Sequence, residues 1–258
     1  RKGEEFLASI ETLDDVVFQV NGSPPDVLQT KHHVNNPANL TDASTDMWKT
    51  IRIWCEGWST DRIPKNSTFY LVTTAKTSDG SAAHYLRADT RNRDVLKAIE
   101  RLNSTAETSV SKENKSAYDV YKSLQMEQKR ELFNNVYILD ASPSIVNLDD
   151  AMKEVLYYAV EHNHLDSFLQ RLEGWWFRRS VQHLSMSDAG PILSEEIYAE
   201  TTRIREQFKQ DNLPIDDDIL AATVNASGYE DRLFVQQLKL IEISNNRVFH
   251  AIRNFYRA

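Results

Sequence analysis

Two polar residues inside one β-prone run, and an acidic pair before the preceding run, are the part of the sequence best suited to chemistry. Gln29 and Lys31 are separated by one residue in the run 27–33. Alternate residues of a strand project from the same face, so these side chains would lie about 7 Å apart on one side. Asp15 stands at the start of the preceding run, 16–20. A hairpin between the two runs would bring Asp15 next to Gln29, so the three side chains are expected to share one site.

These residue types match metal-assisted hydrolysis of a phosphodiester. Asp15 offers an anionic oxygen ligand and Gln29 a neutral one, and a hard cation such as Mg²⁺ or Mn²⁺ accepts both while keeping several waters. Asp14 is the reserve metal ligand. Lys31 would orient the attacking water or offset negative charge in the transition state. The alternative is chance, because acids before a strand and a Lys within one are common and the spacing alone has low specificity.

Further polar residues could contact a nucleic acid. His33 could reach DNA or a metal-bound water, whereas His32 would project from the opposite face of the strand, so at most one of them joins the site. Lys49 and Arg52 lie three residues apart on a predicted helix and could bind backbone phosphates of DNA. The alternative for these two cations is an ordinary solvated helix face.

A mixed α/β core is predicted to position these residues. The predicted strands cover residues 6–11, 16–20, 27–33, 67–75 and 136–141, and a helix at 41–58 connects the third strand to the fourth. Asp42 or Ser44 can cap that helix, and Trp48, Trp54 and Trp58 are expected to form its core-facing side rather than base-stacking platforms. The polar stretch 103–116 interrupts a helical pattern and predicts a surface loop.

Helical periodicity dominates the second half. The predicted helices there cover residues 148–179, 192–211 and 233–256. We therefore predict two domains, residues 1–145 and residues 146–258. The aromatic run 175–177 is more often core than interface, and exposed aromatic side chains would be needed to indicate docking of a partner. His162, His164 and His183 have no Cys, Asp or Glu at ligand spacing, so they are expected to be structural.

Composition limits the function classes. The 258 residues carry a formal net charge of −8, which disfavours capture of nucleic acid by bulk electrostatics. Most of the excess acid lies in the second half, so a nucleic-acid site is expected in the first. The single Cys55 excludes an internal disulfide and a Cys-rich zinc site, and it fits the reducing cytoplasm. No apolar run approaches the roughly 20 residues of a membrane span, and no G-x-x-x-x-G-K loop for ATP is present.

Four segments in the same order resemble the double-stranded-DNA endonuclease domain of bacterial anti-phage effectors. They read IETLDDVVF, LQTKHH, LTDAS and WKTIRIW and lie at residues 10–18, 28–33, 40–44 and 48–54. Such domains occur in CD-NTase-associated systems and in Lamassu-type, or ABC-three-component, systems, and they are of the PD-(D/E)xK type. The resemblance implies a PD-(D/E)xK restriction-endonuclease-like core that uses Mg²⁺ or Mn²⁺.

That resemblance also implies roles for individual residues. The acid at the head of the second strand and the Q-x-K pair on the third correspond to Asp15, Gln29 and Lys31. Related nucleases often add an acid or Gln from a helix before the first strand. The sequence starts at Arg1 without an initiator Met, so we expect this helix, and elements at the other end, to be missing. Glu4, Glu5 and Glu11 are weak substitutes for the missing ligand.

Segments of the second half are similar to the C-terminal domain of ABC-three-component effectors. They are LEGWW at 172–176, DNLPID at 211–216 and AIRNFYRA at 251–258. In such effectors this domain anchors the nuclease to its partner subunits. The resemblance therefore implies an SMC-like ABC ATPase and a middle subunit as partners, with self-association on activation and no membrane contact.

Three functions follow from these patterns. The first is a metal-dependent endonuclease that cleaves double-stranded DNA once the sensor subunits of a defence complex activate it. The second is a scaffold whose nuclease fold is degenerate and which only binds DNA or partners. The third is an RNase effector, which would use the same residues. The presence of Asp15, Gln29 and Lys31 together argues against the scaffold.

Overall fold

The computed structural model describes residues 5–12, 15–32, 39–89, 91–143, 147–186, 190–208 and 232–240, together with Arg247 and His250. Within these residues the chain forms a mixed α/β structure, as the sequence predicted. Its main sheet has six strands in the order β7-β5-β3-β2-β1-β8. The strands are β1 (Phe6–Ile10), β2 (Val16–Val20), β3 (Asp26–Lys31), β5 (Thr68–Thr73), β7 (Val136–Leu139) and β8 (Ile192–Leu193). Two short strands, β4 (Asn39–Leu40) and β6 (Lys76–Thr77), pair with each other in parallel.

The described residues also form helices. They are α1 (Thr45–Ser59), α2 (Ala82–Tyr85), α3 (Val95–Thr108), α4 (Lys115–Ser123), α5 (Met126–Asn134), α6 (Leu148–Leu156), α7 (Leu165–Ser185), α8 (Ser194–Gln207) and α9 (Leu233–Leu240). The first three strands form an antiparallel meander. Helix α1 then returns the chain to β5, which pairs in parallel with β3. The predicted order of strand, strand, strand, helix, strand is therefore present.

The directions of the strands bring the ends of five strands to one edge of the sheet. Strand β2 runs antiparallel to β1 and β3, while β5 and β7 run parallel to β3. The carboxyl ends of β1, β3, β5 and β7 therefore meet the amino end of β2. We call this the site edge; its strands end or begin at Ile10, Val16, Lys31, Thr73 and Leu139.

The main core lies between the sheet and helices α1 to α5. Trp48, Trp54 and Trp58 of α1 are all buried. The ring of Trp54 lies 5.4 Å from that of Phe69 on β5, and the ring of Trp48 meets that of Tyr118 on α4 edge-on at 4.6 Å. The prediction that these tryptophans are core is confirmed.

Ser44, rather than Asp42, caps α1. The Ser44 hydroxyl accepts a hydrogen bond from the Met47 amide at 3.5 Å. The Asp42 carboxylate instead accepts from the Ala82 amide at 2.6 Å, at the start of α2. Asp42 therefore joins two elements that are 40 residues apart in the chain.

The predicted surface loop at 103–116 is wrong. Most of it is helical, because α3 continues to Thr108 and α4 begins at Lys115, which leaves only 109–114 between them. The buried residues of α3 recur on one face: they are Ala98, Ile99, Leu102 and Ala106. The polar residues that suggested a loop are the outer face of an amphipathic helix.

The second half departs from its predicted pattern in two places. A 3-10 turn at His162–His164 separates α6 from α7, where one long helix was expected, and the run HNH has low helix propensity. Ile192 and Leu193 form β8, which pairs with Ala8 and Leu7 of β1 before α8 begins. The second half therefore contributes an edge strand to the sheet of the first half. Among the described residues, no helix combines the length and the apolar character that a bilayer crossing requires.

Candidate active site

The residues predicted to do chemistry lie at the site edge. Pairing of Val16 with Leu28 sets the register of β2 and β3, and one step further along this ladder Asp15 faces Gln29. In the parallel pair, Gln29 lies beside Leu71 and Lys31 beside Thr73 of β5. The structure thus brings the backbones of Asp15, Gln29 and Lys31 together, as the sequence predicted.

Gln29 carries an unusual feature of this edge. Its side chain projects from the same face as Val27, which belongs to the main core. Gln29 is only 3% exposed, and its Oε1 has no hydrogen-bond partner among the described residues. Leaving a buried acceptor unsatisfied costs about 1–3 kcal/mol. Such an atom calls for a partner that the described residues do not supply.

Lys31 ends β3 on the same face as Gln29. Its side chain is half-buried, and its backbone carbonyl accepts a hydrogen bond from the Thr74 amide at 3.3 Å. The neighbouring Thr73 is buried, and its hydroxyl accepts from the Ala75 amide at 3.1 Å. The backbone of Lys31 is therefore held in place, while its ammonium group can extend past the end of the strand.

The sequence predicted that the Asp15 carboxylate would meet the Gln29 side chain, but it does not. Its Oδ2 accepts hydrogen bonds from both the amide and the hydroxyl of Thr30, each at 2.7 Å. Thr30 projects from the face opposite to Gln29, so this carboxylate oxygen turns away from the amide it was expected to meet. The cause is local: the regular β2–β3 pairing ends at Val16 and Leu28, so a side chain satisfies the Thr30 amide.

The turn that carries Asp15 contains a strained residue. Glu11 has φ of 56°, in the left-handed region that residues with a Cβ rarely adopt. The Glu11 amide donates to the Asp15 carbonyl at 3.0 Å and closes the turn between β1 and β2. Asp14 and His33, the reserve metal ligand and a predicted DNA contact, lie outside the described residues. His32 is described and exposed.

The two cations predicted to contact DNA differ in their surroundings. Lys49 is exposed on α1. The Arg52 guanidinium lies 3.9 Å from the Glu56 carboxylate and donates to the Ser116 hydroxyl at 3.4 Å, towards α4. Arg52 therefore has a structural role between two helices, and Lys49 is the better candidate for a phosphate contact.

A second polar cluster at the site edge was missed by the sequence reasoning. Asp140, directly after β7, accepts hydrogen bonds from the amide and hydroxyl of Thr77 at 3.0 and 2.8 Å. Its other oxygen lies 3.0 Å from Arg87 Nε. Partial burial opposes ionisation, but the Thr77 hydrogen bonds and the Arg87 charge hold the pKa of Asp140 below its usual range. No spacing rule links residues 77, 87 and 140, because only the parallel strands bring them together.

The structure does not support a cysteine nucleophile or a metal site built from three His, Cys, Asp or Glu side chains among the described residues. Burial raises the pKa of the Cys55 thiol to about 12, so this cysteine does not supply a thiolate nucleophile. In the part of the chain that the structure describes, no group of three His, Cys, Asp or Glu side chains could hold a metal ion. A metal at the site edge would therefore depend on Gln29 and Asp15, with water or substrate as further ligands.

Comparison with known proteins assigns no family. No family model matches the chain, and no curated protein matches it. Two similar solved structures are of the Acinetobacter baumannii Cap4 SAVED/CARF-domain containing receptor, one with the cyclic trinucleotide 3'3'3'-cAAA and one without it. The identities are 17% and 16% and the TM-scores 0.40 and 0.41; in both cases 80% of this chain covers 44% of the receptor. The chain thus spans less than half of that receptor, and a likeness at this level assigns neither fold nor function.

Proposed function

We propose that the chain is a metal-dependent endonuclease of the PD-(D/E)xK type that cleaves double-stranded DNA as the effector of a bacterial anti-phage or anti-plasmid defence complex. The observation that carries the proposal is the buried Oε1 of Gln29, which has no hydrogen-bond partner among the described residues and lies at the edge that also holds Asp15 and Lys31. The sequence resemblance supplies the reaction class and the biological setting.

The donor atoms of this edge fit a hard divalent cation. An amide oxygen is a neutral ligand for such an ion, and Asp15 supplies an anionic one. Mg²⁺ needs only one or two protein carboxylates, because waters and substrate phosphate oxygens complete its shell. When bound, the metal would polarise the phosphoryl group and lower the pKa of a ligated water.

Asp15 would serve this site through its oxygen contact to β3. The two hydrogen bonds from Thr30 hold Asp15 Oδ2 beside the strand that carries Gln29. This contact sets the position of Asp15 relative to β3, and binding of a metal beside Gln29 would require the carboxylate to turn from the Thr30 face towards the Gln29 face. Asp14, the residue before Asp15 in the sequence, remains the alternative ligand.

Lys31 would act on the reacting groups. It lies two residues beyond Gln29 on the same face, about 7 Å along the strand. From there its ammonium group would orient the attacking water or stabilise charge on the phosphoryl oxygens. Lys49, exposed on α1, would contact a backbone phosphate and thereby position the duplex.

Binding of DNA requires help from other subunits. A net charge of −8 opposes capture of a polyanion. We propose that the chain acts in an assembly with an SMC-like ABC ATPase and a middle subunit, and that self-association accompanies activation. Large side chains on the second-half helices fit a contact surface: Phe177 is 69% exposed and Tyr198 73% exposed.

The partner surface is tested by substitution on the intact chain. The double variant Phe177→Ser, Leu184→Ser is expected to lose co-purification with the partner subunits while its thermal unfolding temperature stays within about 2 °C of wild type. The matched control is Glu173→Ser, at an exposed polar position of the same helix. Full retention of the partners by the double variant would rule out this face as the contact.

The function is tested with the full chain, alone and assembled with its partner subunits. Supercoiled plasmid, linear duplex and RNA are each incubated with Mg²⁺, Mn²⁺ or a chelator. We expect metal-dependent cleavage of both DNA substrates that is weak for the isolated chain and stronger in the complex. Cleavage of RNA alone would indicate the RNase function, and binding of DNA without cleavage under every condition would indicate the degenerate scaffold.

A further inference from the structure

A histidine of the second half holds the turn that carries Asp15. Helix α7 places the His183 ring at the end of β1, where the Ile10 amide lies 3.0 Å from Nε2. The other ring nitrogen, Nδ1, lies 2.8 Å from the Gly190 carbonyl oxygen. An amide can only donate and a carbonyl can only accept, so Nε2 accepts and Nδ1 donates. The Ile10 contact therefore places the ring proton on Nδ1.

The contact lies next to the strained residue of the turn. Ile10, the partner of His183, immediately precedes Glu11 with its φ of 56°. The Glu11 amide, which follows Ile10 directly, donates to the Asp15 carbonyl at 3.0 Å. A strained backbone conformation persists only when its surroundings over-determine it. The His183 and Asp15 contacts provide this restraint by holding two consecutive amides, those of Ile10 and Glu11.

The same contacts lead directly to the candidate active site. Asp15, which closes the turn with its carbonyl, uses its carboxylate to bind the amide and hydroxyl of Thr30. Thr30 is the residue between Gln29 and Lys31. An unbroken series of bonded residues thus connects α7 with the two side chains proposed to bind metal and stabilise charge.

The helix that carries His183 is itself fixed to the sheet. Arg179 makes a two-pronged contact with Glu196 on α8, at 2.7 and 3.1 Å, and also donates to the Pro191 carbonyl at 3.1 Å. The Ser194 hydroxyl accepts from the Phe6 amide at 3.0 Å, at the far end of β1. Helices α7 and α8 and strand β8 therefore contact β1, with side-chain hydrogen bonds at both of its ends.

We propose that His183 is a positioning residue, which restrains the β1–β2 turn and thereby the Asp15 carboxylate. The inference rests on the proposed function, in which Asp15 binds the metal. An open cleft of about 570 Å³, lined in part by Glu11, His183 and Met186, adjoins this contact. It gives the turn space to move when the bond from Ile10 is absent.

Two substitutions of His183 separate the bond to Ile10 from the rest of the ring. In His183→Asn, the shorter amide can still donate to Gly190 but offers no acceptor to Ile10. In His183→Gln, the longer side chain can place its carbonyl oxygen where Nε2 lies. The control is Gln182→Ala, at an exposed position of the same helix. All three variants are made in the full chain.

The first measurement is residue-resolved amide hydrogen exchange without metal. His183→Asn is expected to speed exchange of the Glu11 and Thr30 amides by roughly tenfold, because both belong to the restrained turn. His183→Gln and Gln182→Ala are expected to leave them within about twofold of wild type. The amide of Leu71, in the middle of the sheet, should be unchanged in all variants. Unchanged exchange at Glu11 and Thr30 in His183→Asn would overturn the proposal, as would an equal rise in His183→Gln.

The second measurement is the affinity for Mn²⁺, which is determined by calorimetry with the same proteins. Loss of a residue that orients a metal ligand typically weakens binding by about 10- to 100-fold, so we expect this for His183→Asn with recovery in His183→Gln. Wild-type affinity in His183→Asn would overturn the positioning role. Absence of Mn²⁺ binding to the wild-type chain would instead contradict the proposed function, and the exchange result would still report on the turn.

Discussion

The helices of the two halves use their large apolar side chains in opposite ways. Helix α1 buries Trp48, Trp54 and Trp58 against the sheet. In α7 only the first turns are buried, at Leu165, Phe168 and Leu169, while Phe177 is 69% exposed further along the same helix. Both helices contain large aromatic residues, but those of α1 form part of the core, whereas Phe177 of α7 lies at the surface. Composition and periodicity cannot distinguish these roles, because both helices are amphipathic.

The sharpest way to test this contrast is a pair of truncations. Trp54→Ala removes a fully buried side chain that packs on Phe69 and is expected to lower the free energy of unfolding by about 3–5 kcal/mol. Phe177→Ala, on the exposed part of α7, is expected to change it by no more than about 0.5 kcal/mol. Chemical denaturation of both variants measures the difference. A loss above about 2 kcal/mol in Phe177→Ala would show that this face is packed.

The second prediction concerns the chemistry that we propose for the first half. Lys31→Ala is expected to lower cleavage by the assembled complex by about 10²–10³-fold with little change in stability, because in the proposed mechanism the ammonium group acts in the transition state. Lys76→Ala is the matched control, since Lys76 is an exposed lysine of β6. Rates are compared in single-turnover plasmid cleavage. Wild-type cleavage by Lys31→Ala would remove this residue from the mechanism.

The third prediction concerns one substitution that is expected to stabilise the protein without metal and to weaken metal binding. Gln29→Met has a similar volume but no unsatisfied oxygen, so in chelator it is expected to raise the free energy of unfolding by about 1–3 kcal/mol. The same variant should lose the stabilisation by Mn²⁺, which for the wild type would reach about 2.7 kcal/mol at 100 times the Kd. Thermal unfolding with and without Mn²⁺ gives both values. A variant that is less stable than wild type in chelator would show that Oε1 is satisfied within the protein.

The smallest expected effect lies at the seam between the two halves. Glu11→Gly places the residue that tolerates positive φ at a position whose φ is 56°. Relief of this strain outweighs the added freedom of the unfolded chain only slightly, so the free energy of unfolding should rise by up to about 1 kcal/mol. Glu11→Ala is the control, because it keeps the strain and removes only the carboxylate. Equal stability of the two variants would indicate that the turn stores no strain.

The sequence by itself determined the local elements and the identity of the candidate site. The β-prone runs that became β2 and β3, the continuous apolar run that became β5, the amphipathic α1 and the shared face of Gln29 and Lys31 all follow from local rules of chain geometry. Their predicted bounds differ from the observed ones by up to four residues, as at the start of α1. The polar stretch 103–116 was wrongly predicted to be a surface loop, because a helix with one buried face needs apolar residues at only a few positions.

Only the tertiary structure decided how the site is held. Asp15 binds Thr30 because pairing of β2 and β3 stops one residue short, and the parallel strands bring Asp140 beside Thr77 and Arg87. His183 reaches Ile10 across 173 residues of sequence. Such contacts depend on which elements become neighbours. Strand pairing and helix packing over long separations set this, and no local pattern of residues encodes it.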